Sequence, residues 1–187
     1  MKTVQLETKR LILRQWREDD FKAFEKLNSD PIVMEYFPSL LSREESNALA
    51  KRFQDLIMSR GWGFWAVEEK CSGNFIGYVG LHTPASDLPF KPCVEIGWRL
   101  LKEYWSKGYA TEAGKEVLRF AFEELKLDEV VSFTAIINHR SESVMKRLGM
   151  KNRDANFEHS ALPVGHRLRE HVLYGMNRED FLKNNKD

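Results

Sequence analysis

The sequence contains few of the residues that build metal sites and disulfide frameworks. Its two cysteines, Cys71 and Cys93, lie far apart and form no C-x-x-C pair, and its five histidines show no H-E-x-x-H spacing. We therefore expect neither a bound metal nor a disulfide. Cys93 lies in a strand-like run, where it is interpreted as a small core residue rather than a catalytic thiol.

Long apolar runs and an excess of one charge are also missing. No stretch approaches the roughly 20 apolar residues of a membrane-spanning helix, and Met1–Arg14 lacks the continuous apolar region of a signal peptide. The 29 basic and 28 acidic residues leave a formal charge of +1, which favours neither nucleic acid nor an anionic membrane as a partner. The sequence predicts a soluble, cytoplasmic protein, and its 187 residues are most economically one domain.

The two common phosphate-binding motifs are absent, yet one turn has the features of an anion site. No G-x-x-x-x-G-K-[ST] string and no three-glycine fingerprint after an early strand occurs. Instead, the strand-like run Cys93–Leu101 leads through a glycine-bearing turn into an amphipathic helix. The first N–H groups of a helix lack intrahelical partners and carry partial positive charge. Gly108 would let a phosphate approach, and Lys107 and Thr111 would add charge and a donor, although many such turns bind nothing.

The periodicity of the remaining chain predicts a mixed α/β fold. Four helices are expected besides the one after the turn: Glu18–Leu27, a segment that begins after the capping box Ser42 to Glu45 and ends at Gly61, Ser141–Leu148 with Gly149 as its left-handed stop, and Arg178–Leu182. The expected strands are Arg10–Trp16, Gly63–Glu68, Phe75–Thr83, Cys93–Leu101, Asp128–Ile137 and His171–Met176. Short connections favour an antiparallel meander, whereas the crossover helix makes Asp128–Ile137 a parallel partner of Cys93–Leu101. The apolar segment Ile32–Leu41 is either a lid or plain packing.

Two segments together resemble signatures of the GNAT acetyltransferase superfamily. Trp105–Ala113 is similar to its acyl-CoA pyrophosphate loop, and Asn138–Met150 is similar to its second signature, N-x-x-S-x-x-[VL]-[MY]-x-[KR]-L-G-[FM]. The opening Thr8–Arg14, followed by Glu18–Asp20, resembles the Rim-type branch, which acetylates protein N-termini. The resemblance implies a single GNAT domain over residues 1–187. It also implies a mostly antiparallel central sheet with flanking helices and acyl-CoA in a splay between the central strands.

The resemblance further implies how acetyl-CoA, the expected co-substrate, is held. Backbone groups of Trp98, Arg99 and Leu100 would bind the pantetheine arm. Asn138 would bind it near the sulfur, with Ser141 close by, although both residues could be ordinary helix caps. The residues of the loop that would contact the cofactor are Ser106, Lys107, Gly108, Tyr109, Ala110 and Thr111.

The catalytic residues are less clearly implied, because this chain departs from the family at one position. Met145 stands where many members carry a tyrosine that protonates the leaving thiolate, so the acid is Ser141 or a water. A thiol has a pKa of about 8.5, so its anion leaves readily and the reaction tolerates the absence of this tyrosine. The candidate base is Glu95, which shares a strand face with Arg99 and could equally form an ion pair with it.

The sequence therefore predicts a monomeric or homodimeric N-acetyltransferase that moves acetyl from acetyl-CoA to a primary amine by direct attack in a ternary complex. By resemblance to the Rim-type branch, the acceptor is a protein N-terminal α-amine. Its pKa of about 7.7 to 8 leaves a tenth or more of it neutral at pH 7. A small-molecule amine, such as a polyamine, amino acid or antibiotic, is the alternative acceptor. A non-catalytic acyl-CoA-binding module is the competing class of function.

Overall fold

The protein is described by a computed structural model over residues 3–184, in which the chain forms two compact units. The first unit comprises the chain up to Leu81 together with Gly97–Val117, and the second comprises His82–Ile96 and the chain from Leu118 on. Each unit combines helices with mostly antiparallel strands, which confirms the predicted mixed α/β class. The assignment of the whole chain to one domain stays a prediction.

Antiparallel strands form the frame of the first unit. They are β1 (Leu6–Glu7), β2 (Leu11–Arg14), β3 (Phe64–Glu69) and β4 (Phe75–His82), and each pairs with the next. The end of β5 (Glu95–Leu100) runs beside β4, where the Leu101 N–H donates to the Ile76 carbonyl over 2.9 Å. The predicted meander is thus confirmed for β3 and β4.

The helices of the first unit are α1 (Asp20–Ser29), α2 (Arg43–Arg60) and the first part of α3 (Tyr109–Arg119). The predicted capping box of α2 is present, since the Glu45 N–H donates to Ser42 Oγ and the Ser42 N–H donates to the Glu45 carboxylate. Gly61, with φ of 86°, ends the helix as predicted. Within the apolar segment before α2, Val33 and Met34 are buried, which favours packing over a lid.

Helix α1 begins two residues later than predicted because Asp20 is committed to buried contacts. Its side chain is 3% exposed and accepts hydrogen bonds from both Nη atoms of Arg14, each over 2.8 Å. It also accepts one from the Arg17 N–H over 2.8 Å, which fixes the turn that precedes the helix. A buried, bidentate arginine–carboxylate pair is strongly directional, so it sets where the helix starts.

Gly77 lets β4 and β5 approach each other closely within the first unit. Its φ is 142°, a conformation that side chains disfavour. A Cβ atom placed there would lie 2.2 Å from the Arg99 carbonyl oxygen and 2.7 Å from the Leu100 Cα. Both of these atoms belong to the backbone, so they could not move aside without disturbing β5.

The second unit is built around a long antiparallel pair, β6 (Glu129–Ala135) and β9 (Glu170–Asn177), which pair over seven positions from Glu129↔Asn177 to Ala135↔His171. Two short strands, β7 (Lys151–Asn152) and β8 (Phe157–Glu158), also pair with β9. The beginning of β5 pairs with β6 in parallel at Glu95↔Val131, which confirms the predicted parallel partner. The two-residue strands were missed because two residues carry no detectable period.

Three helical segments complete the second unit. After Arg119, α3 passes into a π-helical turn at Phe120–Glu124, and the later helices are α4 (His139–Arg147) and α5 (Arg178–Asn184). Gly149, with φ of 81°, follows α4 as the predicted left-handed stop. Among residues 3–184, no helix has the length and apolar character that crossing a membrane requires.

The Gly77 contact predicts a large loss of stability for Gly77→Ala. The added methyl group meets backbone on β5, so we expect the free energy of unfolding to fall by about 3 kcal/mol or more. Gly73→Ala is a matched control, because Gly73 also has a positive φ, 70°, but a Cβ atom placed there would have no neighbouring atom within 4 Å. It should lose about 1 kcal/mol. Urea denaturation measures both losses, and equal values would contradict the close approach of β4 and β5.

Candidate functional site

The turn between β5 and α3 presents backbone N–H groups in an unusual arrangement. After a short 3-10 turn at Lys102–Tyr104, Ser106 and Gly108 have positive φ values of 59° and 80°, and α3 then begins at Tyr109. Left-handed residues among right-handed ones turn successive N–H groups toward one side, which forms an anion-binding concavity. For Ser106 this conformation costs about 1 kcal/mol or more, a strain that is typical of functional sites.

The indole of Trp105 ties this turn to β5. Its Nε1 donates to the carbonyl oxygen of Leu100 over 2.8 Å, and the Trp105 N–H donates to the Lys102 carbonyl over 3.1 Å. Leu100 itself is buried, whereas Trp98 is partly buried. The turn is therefore anchored to the strand that the sequence assigned to the pantetheine arm.

Glu112, in the first turn of α3, joins the N-terminal segment to the same loop. Its Oε1 accepts hydrogen bonds from Thr8 Oγ1 over 2.5 Å and from the Arg10 N–H over 2.9 Å, and its Oε2 accepts one from Arg10 Nε over 2.6 Å. Burial would raise the pKa of the Glu112 carboxyl, but these hydrogen bonds outweigh it and hold the pKa below its ordinary value of 4.5. Glu112 thus stays ionised and fixes Arg10 in place.

The guanidinium of Arg10 lies against the loop. Its Nη1 donates to the Lys107 carbonyl over 3.0 Å, and its guanidinium lies 4.3 Å from the centre of the Tyr109 ring. A Cβ atom on Gly108 would lie 3.5 Å from Arg10 Nη2, so the guanidinium is a direct neighbour of this glycine. Two cationic side chains, Arg10 and Lys107, therefore accompany the N–H groups of the turn, an arrangement whose charge and geometry favour an anion.

Tyr109 is held at the start of α3 by a carboxylate beneath it. Its hydroxyl donates a short hydrogen bond to Glu69, which also accepts one from Ser72 Oγ over 2.8 Å. The hydrogen bond from Tyr109 is the main cause that lowers the pKa of Glu69. The Tyr109 side chain is thus used for anchoring.

Arg99 of β5 is buried in the first unit, with 8% of its surface exposed. Its Nη1 donates to Asn28 Oδ1 over 2.5 Å, and its guanidinium lies over the Phe37 ring, 3.7 Å from the ring centre. Burial lowers the pKa of this guanidinium. The side chain therefore points away from water although no carboxylate neutralises it among the described residues.

In the second unit, Asn138 caps α4. Its Oδ1 accepts a hydrogen bond from the Ser141 N–H over 3.2 Å, and its Nδ2 donates to Thr134 Oγ1 over 2.9 Å. The helix-cap alternative is thus observed, and these contacts fix the amide at the end of β6. Met145, in the position of the missing tyrosine, is fully buried.

Glu95 is the most strongly perturbed carboxyl of the second unit. It pairs with Val131 at the start of β5, where the Val131 N–H donates to the Val94 carbonyl over 3.0 Å. Burial raises the pKa of Glu95 from 4.5 to about 8. An ion pair would instead lower the pKa of a carboxyl, so this shift favours the base over the ion-pair alternative. Across residues 3–184, no cluster of His, Cys, Asp or Glu could hold a metal ion.

The sequence identified the loop but missed the residues that hold it. The contacts of Thr8, Arg10 and Glu69 with α3 join positions 40 to 104 residues apart, and no local pattern reports such distances. In the sequence, Glu112 is only an acidic residue in the first turn of the predicted helix, where it interacts favourably with the helix dipole. The one available signal was the resemblance of Thr8–Arg14 to the Rim-type opening, which gave no partner for Arg10.

Comparison with known proteins gives a family match and related sequences. A family model described as an acetyltransferase (GNAT) domain matches residues 10–151. FsC-acetyl coenzyme A-N(2)-transacetylase of Aspergillus fumigatus is 31% identical over 168 residues, covering 86% of this chain and 71% of that protein. The uncharacterized N-acetyltransferase YnaD of Bacillus subtilis is 28% identical over 177 residues, covering 93% of this chain and 97% of that protein.

Solved structures share the fold. A GNAT-family acetyltransferase from Bacillus anthracis superposes with a TM-score of 0.78 at 24% identity and covers 94% of this chain and 99% of its own. The ribosomal-protein-S5-alanine acetyltransferase from Vibrio fischeri superposes with a TM-score of 0.74 at 17% identity and covers 95% of this chain and 98% of its own. At these identities the likeness is one of fold.

The contacts of Glu112 predict a pH-dependent effect of Glu112→Gln. Because the pKa of Glu112 is lower in the folded state, its contribution is present above pH 4.5 and is lost as the pH falls through the folded pKa. We expect the variant to lose about 1–2 kcal/mol of unfolding free energy at neutral pH, allowing for screening of the half-exposed Arg10, and less near about pH 4.

Glu123→Gln is the control, because Glu123 forms an exposed pair with Arg119 over 3.0 Å. Such a pair contributes only about 0.3–0.5 kcal/mol. Urea denaturation at both pH values measures the difference. Equal losses for the two variants at neutral pH would show that the Glu112 contacts do not anchor the loop.

Proposed function

Because the chain belongs to the acetyltransferase (GNAT) family, we propose that it transfers the acetyl group of acetyl-CoA to a protein N-terminal α-amine. The family assignment makes it an acyl-CoA-dependent N-acetyltransferase. The acceptor is the step beyond that assignment. One observation carries the use of acetyl-CoA: the left-handed turn before α3, with Arg10 and Lys107 beside it, has the geometry and charge of a pyrophosphate site.

The loop residues fit this co-substrate. We assign the pyrophosphate to the backbone N–H groups of Ser106, Lys107, Gly108, Tyr109, Ala110 and Thr111, with the side chains of Lys107 and Thr111 adding charge and a donor. The backbone of Trp98, Arg99 and Leu100 binds the pantetheine arm in strand-like fashion. Asn138 and Ser141 bind the arm near the sulfur, in addition to their roles at the start of α4.

The reaction needs a neutral amine, and Glu95 supplies the base. The amine nitrogen forms a bond to the thioester carbonyl carbon, a backbone N–H stabilises the oxyanion, and the carbon–sulfur bond breaks to release the thiolate. Glu95 accepts the proton of the amine, directly or through a water, and Ser141 or a water protonates the thiolate. With a pKa of about 8, Glu95 matches an α-ammonium group, whose pKa is about 7.7 to 8.

Two names among the related proteins bear on the acceptor. The Vibrio fischeri protein is named as an acetyltransferase of ribosomal protein S5 alanine, which supports a protein N-terminus. The Aspergillus relative is named as an FsC transacetylase, which supports the alternative of a small-molecule amine. The pKa match of Glu95 favours the α-amine of a peptide or protein N-terminus, because the neighbouring carboxylate of a free amino acid raises the pKa of its α-ammonium.

The pyrophosphate assignment predicts the behaviour of two variants in calorimetric titration with acetyl-CoA. Gly108→Val should weaken binding about tenfold or more, because a β-branched side chain cannot keep the left-handed turn and fills the space next to Arg10. Asn138→Ala should weaken it less. Gly73→Val controls for a positive φ in open space and should bind as the wild type does. Absence of binding by the wild type, or full affinity of Gly108→Val, would remove the assignment.

The base assignment predicts a pH profile for Glu95→Gln. In the wild type, kcat should rise with pH up to about 8 as Glu95 ionises, whereas Glu95→Gln should lose about 100-fold in kcat near pH 8 and keep its KM for acetyl-CoA. Thiol release from acetyl-CoA with N-terminal peptides measures both. If both forms were equally active at every pH, Glu95 would have no part in the mechanism.

The pH dependence of folding stability tests the raised pKa of Glu95 independently of catalysis. Because the pKa of Glu95 is raised on folding, the folded wild type binds more protons than the unfolded chain between pH 4.5 and about 8. The wild type should therefore lose stability as the pH rises through this range. Glu95→Gln should not show this loss, and a wild-type stability that does not fall here would mean that Glu95 is not desolvated.

A further inference from the structure

Two buried arginines of the first unit differ in whether a carboxylate neutralises their charge. Arg14, with 5% of its surface exposed, is paired with Asp20 over 2.8 Å and with Glu68 over 2.6 Å. Arg99 is buried to almost the same extent, at 8%, yet within residues 3–184 it forms no ion pair. Buried charges in proteins are normally paired, so the missing partner of Arg99 calls for an explanation.

The surroundings of Arg99 supply one neutral acceptor and two aromatic rings. Asn28 is completely buried, and its Nδ2 donates to Ser46 Oγ over 2.9 Å, so its Oδ1 is fixed toward Arg99. The Phe37 ring centre lies 3.7 Å from the guanidinium carbon and the Tyr78 ring centre lies 5.4 Å from it. These contacts hold the cation in place without neutralising it.

One edge of the guanidinium is left without a hydrogen bond. Nη1 is used by Asn28, whereas Nε is buried and has no partner among the described residues. The Nε edge of an arginine presents two parallel donors, Nε–H and Nη2–H, whose spacing matches the two oxygens of a carboxylate. The vacant donors therefore fit a planar anion better than a point charge.

The anion is better sought on the acceptor than on acetyl-CoA. The pyrophosphate already has its own site at the turn before α3, with the cations Arg10 and Lys107. Arg99 belongs instead to β5, the strand that also carries Glu95, and contacts α1 and the segment before α2 through Asn28 and Phe37. The remaining reactant that can bring a negative charge is the amine.

We infer that Arg99 binds a carboxylate of the acceptor, so that the substrate is an amine that also carries a carboxylate group. This inference rests on the proposed acetyl transfer and narrows its acceptor to an amino acid or an N-terminal peptide with an acidic group. Arg99 is a specificity-determining residue, and Asn28 positions it.

Asn28→Asp tests the inference without removing Arg99. The new carboxylate replaces Oδ1 at the same place, 2.5 Å from Nη1, and gives the guanidinium an internal counter-charge. The melting temperature should rise, while selectivity for carboxylate-bearing amines falls. Ser29→Asp is the matched control, because it adds the same charge one residue further along, at an exposed position.

The acceptors are pairs of peptides that differ in one charge but share the same terminal amine, with Glu against Gln at the second residue. The wild type should prefer the charged member in kcat/KM, and Asn28→Asp should reduce this preference about tenfold or more. Ser29→Asp should keep it. A stabilised Asn28→Asp with unchanged preference would show that Arg99 is only structural and would overturn the inference.

Two further outcomes separate the inference from the proposed function. If Asn28→Asp weakens acetyl-CoA binding in calorimetry as much as it weakens the charged acceptors, the anion belongs to acetyl-CoA and the inference is wrong. If no amine is acetylated, the proposed function fails, and a thermal shift of the wild type with glutamate then tests anion binding alone. Glutamate should raise the melting temperature of the wild type but not that of Asn28→Asp, and no shift in either would overturn the carboxylate site.

Discussion

The carboxylate of Glu112 is the interaction on which the loop of the first unit depends. A turn that offers its N–H groups to a ligand cannot satisfy them internally, so it gains little from its own hydrogen bonds. The strain at Ser106 adds to that cost. Glu112, which lies outside the turn, offsets this free-energy cost. Its carboxylate accepts three hydrogen bonds from Thr8 and Arg10, and Arg10 donates to the Lys107 carbonyl in the turn. The turn is thus held by side chains that lie outside it.

Burial is used in three ways by the charged groups of this chain. At Arg14 it strengthens an ion pair with two carboxylates, which also determines where α1 begins. At Glu95 it acts without a counter-charge and raises the pKa to about 8, which turns a weak base into one suited to neutral pH. At Arg99 it leaves a cation with open donors. The first case serves stability, whereas the other two cost free energy, for which the proposals above supply a functional reason.

Local patterns predicted the parts of this chain that local physics determines. The capping box at Ser42 and the left-handed stops at Gly61 and Gly149 are set by neighbouring residues, and the structure contains each of them. The order of strand, glycine-bearing turn and helix was likewise visible in the sequence.

The remainder depends on distant contacts or on burial. The hydrogen bond between Arg10 and Glu112 of α3 joins residues 102 positions apart. The pKa of Glu95, which bears on whether it acts as a base or in an ion pair, depends on how far its carboxyl is desolvated. Neither quantity leaves a periodic trace in the sequence. The start of α1 was misplaced because it is set by the buried contact of Asp20 with Arg14, six residues earlier, and burial is not visible in the sequence. The resemblance pointed to a strand and a loop whose roles stay predictions, while the residues that support this loop emerged only from the structure.

The catalytic demands on this chain fall on the base rather than on the acid. Met145 is fully buried where a tyrosine often protonates the thiolate, and a thiol of pKa about 8.5 tolerates that loss. Deprotonating the amine is harder. Transfer of a proton from an α-ammonium to Glu95 is close to thermoneutral, whereas transfer from a lysine-like ammonium of pKa about 10.4 is uphill by about 3 kcal/mol. In the mechanism proposed above, the desolvation that makes Glu95 basic therefore also favours α-amines as acceptors.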